Sequence, residues 1–90
     1  MIEPKNDSER AQVKRARLLN GLLADERDAQ LAFRAMALGF QKATAAQLAA
    51  AKRAYIDANA KVAALIPRAQ DALVTYFAMI EEQRRVMRLT

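Results

Sequence analysis

The sequence predicts an all-α fold, a long antiparallel helical hairpin, from three observations. Twenty-one of its 90 residues are alanine, the best helix former. Apolar residues recur at three- and four-residue steps along nearly the whole chain. Only one internal place joins a helix stop, Gly39, to a helix start, Thr44-Ala45-Ala46-Gln47. The chain reads as one domain: residues 1–6 flexible, helix 1 over 7–38, a connection over 39–44, and a second arm over 45–66 and 67–89.

Helix 1 begins behind Pro4, where Asn6, Asp7 and Ser8 are all suitable N-caps. Its main apolar stripe is Leu19, Leu22, Leu23, Phe33, Met36 and Phe40. Glu26 and Gln30 interrupt that stripe and mark wet or specificity-giving positions. Ala24, Leu31 and Leu38, spaced by seven, form a second stripe with Val13 and Ala35 nearby. A helix apolar on two sides asks for two partners. Gly21 costs about 1 kcal/mol within a helix and suggests close approach of another backbone.

Gly39 suits a left-handed helix end, and Thr44 with Gln47 matches the capping box. The second arm then carries a heptad seam: Leu48, Ala51, Tyr55, Ala58, Val62, Leu65, Ala69, Ala72, Tyr76, Met79, Gln83, Val86. A neighbouring row holds Ile56, Ala63, Ile66, Leu73, Phe77, Ile80 and Met87, broken by Asn59, Gln70 and Arg84.

Pro67 lies in the middle of this arm, where it removes a helical hydrogen bond and crowds the preceding turn. No turn-forming residue precedes it closely, and the heptad phase is kept across it. The sequence therefore favours a helix kinked at Pro67 and continuing. The alternative is a fold-back there into a three-helix bundle.

In a hairpin that turns near residues 41–42, residue i faces about 83 − i. Ser8 then lies opposite about Thr75, and the second arm overhangs beyond it. The overhang carries Tyr76, Phe77, Met79, Ile80, Val86 and Met87. Each large side chain left exposed forgoes about 1.5–3 kcal/mol. The expectation is that a second copy or a partner protein covers this segment, with Leu31 and Leu38 of helix 1 joining the interface. Arg84, Arg85 and Arg88, with Lys14, Arg15 and Arg17, form its basic rim.

The chain contains no His and no Cys. This removes imidazole bases, Ser-His and Cys-His pairs, disulfides and thiolate or imidazole metal sites. Asp25-Glu26-Arg27-Asp28 and Glu81-Glu82 read as solvated charge, because adjacent helical carboxylates point apart. No enzyme activity, cofactor or metal is expected. The +5 charge is spread over interspersed acidic and basic residues. No apolar run reaches membrane-spanning length. The start lacks a secretory pattern, so a cytoplasmic location is expected. Alanine and arginine usage suggests a GC-rich bacterium or its phage.

The functional expectation is a non-enzymatic homodimer that binds, and by blocking a surface regulates, a partner protein. Adaptors, small secretion co-chaperones and phage or mobile-element inhibitors share this general shape. The alternative is a basic helical dimer on nucleic-acid backbone, its two basic clusters adding into one patch at the end away from the turn.

Overall fold

The computed structural model describes the backbone of residues 7–89 and the side chains of 7–88; the proposed Asn6 cap and the residue 1–6 segment lie outside these. The fold is all-α: α1 (Asp7–Ala37), α2 (Ala45–Ala63) and α3 (Ala69–Leu89). The molecule is 59 Å long and little more than 20 Å across.

α1 ends where the sequence places a stop. Gly39 has φ 82, and the turn is closed by Gly39 N–H to Met36 O and Gln41 N–H to Ala35 O. Only a residue without Cβ adopts that φ cheaply. Thr44 then starts α2 with a complete capping box. Its Oγ1 accepts from the Gln47 N–H at 3.1 Å, and its own N–H donates to Gln47 Oε1 at 2.9 Å.

α1 and α2 pack antiparallel, and two polar contacts show the register. Gln30 Nε2 donates to the Tyr55 hydroxyl at 3.1 Å, and Asn59 Nδ2 donates to Glu26 Oε2 at 2.9 Å. Residue i thus faces 85 − i, two residues from the expected register. Glu26 and Gln30, the two breaks in the apolar stripe, both bond across the helix pair. Such contacts add little net stability but penalise any register that leaves them buried and unpaired.

The second arm does not continue through Pro67. α2 ends at Ala63, and residues 64–68 form tight turns closed by Leu65 N–H to Val62 O and Ala69 N–H to Ile66 O. Pro67 has no N–H for the Ala63 carbonyl, and it biases Ile66 away from helical geometry. Breaking the helix forfeits a few hydrogen bonds of about 1 kcal/mol each. Folding back buries several large side chains at about 1.5–3 kcal/mol each. Burial therefore decides the outcome.

α3 consequently runs back along α2 toward Gly39. At its start, Asn59 Nδ2 also donates to the Ala69 carbonyl at 3.0 Å. At its far end, Arg84, Met87 and Arg88 lie beside Met36–Gly39. Between them sits the core: Phe33, Ala37, Leu38, Tyr55, Leu73 and Ile80, with Tyr76 and Phe77 packed against it. Phe77 meets Phe33 edge-on at 5.4 Å and Tyr55 at 5.5 Å between ring centroids, while Tyr76 meets Tyr55 at 5.6 Å. T-shaped pairs contribute beyond their buried area.

The break also resets the seam. In α3 Leu73, Phe77 and Ile80 face inward together with Ala69, Tyr76 and Gln83 of the expected seam, whose other members Ala72, Met79 and Val86 are exposed. Gly21 departs from expectation too. A Cβ there would meet nothing within 4 Å, so no neighbouring backbone requires the glycine.

Candidate protein-binding surface

With α3 folded back, part of the exposed apolar surface, Phe40, Val86 and Met87, lies at the hairpin end. The turn after α1 and the last two turns of α3 line two adjoining hollows there. One, of about 320 Å³, is lined by Leu38, Phe40, Val86 and Met87, with Arg34, Glu82 and Gln83 at its sides. The other, of about 290 Å³, lies between Met36–Gly39 and Arg84, Met87 and Arg88. Leu38 and Met87 line both.

Local sequence explains why this apolar surface stays open. Phe40, the last member of the α1 stripe, follows the left-handed Gly39 and lies in the turn, outside the helix. Phe40 is 69% exposed, and Val86 and Met87 are about half exposed. The Arg34 guanidinium stands over the Phe40 ring at 5.7 Å from its centroid, which holds the ring in place. Gln83 Oε1 is buried and has no hydrogen-bond partner. The other exposed large apolar residues, such as Leu18, Ile56 and Val74, lie elsewhere on the three helices, away from the two hollows.

The rim is basic. Arg84 pairs with Glu81 and Arg85 with Glu82, each one helical turn away. The Arg85 hydrogen bond holds the Glu82 carboxyl below its usual range. Arg34 and Arg88 have no carboxylate within ion-pair distance among the described residues.

The expected interface residues divide into two groups. Ile80 and Leu38 are buried inside the chain, and Tyr76 and Phe77 are half-buried against the same core. None of the four awaits a partner: as α3 folds back, Tyr76, Phe77 and Ile80 of the expected overhang pack into the same core as Leu38. Met79, Val86 and Met87 remain exposed, as does Leu31 on the outer side of α1. The sequence signal for the hairpin-end surface was present in Phe40, placed directly after a helix-ending glycine.

The basic clusters do not merge. Arg84 and Arg88 lie beside Gly39, whereas Lys14, Arg15 and Arg17 lie in the first half of α1. Twenty residues of helix between Arg17 and Ala37 put about 30 Å between the two sets. The single patch expected at the end away from the turn is therefore not formed, because α3 ends at the opposite end of the molecule.

Among the described residues, no three or more acidic side chains gather in a way that would hold a metal ion, and no helix is long and apolar enough to cross a membrane. Compared with protein-family models, curated proteins and solved structures, the chain shows no significant match.

Proposed function

We propose that this chain is a non-enzymatic helical interaction protein whose hairpin end binds a partner protein and thereby masks a surface of it. The observation that carries this reading is the exposure of Phe40, Val86 and Met87 around two adjoining hollows at one end of the molecule. An aromatic side chain at a concave apolar patch with a charged rim has the make-up of an interface centre. The partner is a second polypeptide. The overhang that motivated a homodimer is covered from within at Tyr76, Phe77 and Ile80, so self-association is not part of this reading.

Site-specific photo-crosslinking tests it. A photoreactive amino acid at position 40 is compared with one at Ala60, an exposed α2 position outside the hollows, in the cells that make the protein. A discrete protein adduct from position 40, absent from position 60, is expected. Equal patterns at both positions, or none, would sink the reading.

A further inference from the structure

The chemistry of the hairpin end narrows the partner. Three arginines, Arg34, Arg84 and Arg88, line the two hollows against one glutamate, Glu82; Glu81 and Arg85, on the same stretch of α3, pair with Arg84 and Glu82. Each glutamate already faces an arginine of its own helix. The local surplus is therefore positive and is carried by Arg34 and Arg88, which flank the apolar floor from opposite helices. The whole chain adds to this field, with a net charge of +5.

We infer, building on the protein-binding reading above, that the hairpin end takes an acidic amphipathic segment. Its apolar side chains seat against Phe40, Val86 and Met87, and its carboxylates reach Arg34, Arg84 and Arg88. A basic segment meets the like charges of Arg34, Arg84 and Arg88, and the one lining carboxylate, Glu82, is already paired with Arg85. The first half of α1 from a second copy is a poor occupant for the same reason. Arg10, Lys14, Arg15 and Arg17 outnumber its acidic residues Asp7 and Glu9. A neutral apolar segment fills the hollows but leaves the arginines unmatched. Complementary charge also speeds encounter and makes it salt-dependent.

A random peptide library displayed on phage gives the test, panned on the full chain after depletion on the Phe40→Asp variant. Phe40 is an exposed turn residue, so this variant keeps the fold, checked by its circular dichroism. The expected result is enrichment of peptides combining Asp or Glu with two or more large apolar residues at helical spacing. Their affinity should fall at least tenfold on Phe40→Asp and about tenfold on the double reversal Arg84→Glu with Arg88→Glu. It should also weaken as salt rises. Enrichment of basic or uncharged peptides overturns the acidic partner. So does indifference to the double reversal, or the absence of any enrichment that depends on Phe40. A doubled mass by light scattering that Phe40→Asp abolishes gives the hollows to a second copy and overturns it too. A crosslinked protein at position 40 together with basic or neutral peptides removes only this inference, and the protein-binding reading stands. Loss of both the crosslink and the enrichment removes both.

Discussion

The two halves of α1 share a backbone conformation and differ in everything around it. From Leu22 onward the helix lies along α2, and Phe33 and Ala37 are buried under α2 and α3. Before Leu22 the register leaves no α2 residue to face it, since Ala63, the last of α2, lies opposite Leu22. This first half is about 15 residues, or roughly 22 Å, of helix. Its surface is charged, with only Val13 and Leu19 partly covered and Leu18 open. An isolated helix of that length is marginal in water. The contrast teaches that the helix is nucleated and held from its packed half, and that its first half is carried by continuity.

The largest test of that contrast lies in the packed half. Ile80 is 0% exposed, and Ile80→Ala should cost about 2–5 kcal/mol in urea unfolding. An overhanging Ile80 would lose almost nothing, so a change below 0.5 kcal/mol would overturn the fold-back. Next is Asn59, 3% exposed, whose amide serves both Glu26 and the Ala69 carbonyl. Asn59→Ala should cost about 1–3 kcal/mol by leaving an acceptor unpaired at the α2–α3 junction. A double-mutant cycle with Glu26→Gln separates the two bonds.

Alkaline titration reads the same half by its tyrosines. Burial raises the hydroxyls of Tyr55 and Tyr76 above their usual range; Gln30 opposes this at Tyr55, and Arg34 opposes it at Tyr76. The folded state therefore favours the neutral phenol. That contribution is fully present below about pH 10, where the unfolded tyrosines ionise, and is lost as pH rises through the folded values. Tyrosinate absorbance should appear above pH 10 and track unfolding. Ionisation of both residues at the ordinary value without unfolding would contradict their burial.

Effects in the first half of α1 should be small or of opposite sign. Gly21 sits in open space, so Gly21→Ala should stabilise the helix by about 0.5–1 kcal/mol, seen as a raised melting temperature. Leu18→Ala, at a 56% exposed position, should change stability by less than about 0.5 kcal/mol. Hydrogen exchange over residues 10–18 should be much faster than over 26–37. Equal protection would mean that something covers the first half in solution.

Legibility in the sequence followed the range of each signal. The Gly39 stop and the Thr44 capping box are complete within a few residues, and both stand in the structure. Glu26 and Gln30 were visible as breaks in an apolar stripe, and that pattern marked the two cross-helix contacts. The register came out within two residues, because the short connection leaves little freedom. The Pro67 break misled, since nothing nearby forms a turn and the heptad spacing passes straight through it. In α3 the inward face combines Tyr76 of the heptad seam with Leu73, Phe77 and Ile80 of the second row, while Ala72, Met79 and Val86 are exposed. The binding surface moved with it, from Tyr76–Ile80 to Phe40, Val86 and Met87.

By itself the sequence determined the helical class, the place and chemistry of the first turn, the pairing of α1 with α2, and the lack of His or Cys chemistry. Those properties depend on composition or on neighbours within a helical turn or two. Only the tertiary structure decided that the chain turns again at residues 64–68 and that α3 closes the core. It also decided that the two basic clusters end up at opposite ends. These outcomes rest on contacts such as Phe33 with Phe77, more than 40 residues apart along the chain, and on Leu38 and Ile80 sharing one core. Their burial energy outweighs the local cost of breaking a helix, and no local pattern records that balance.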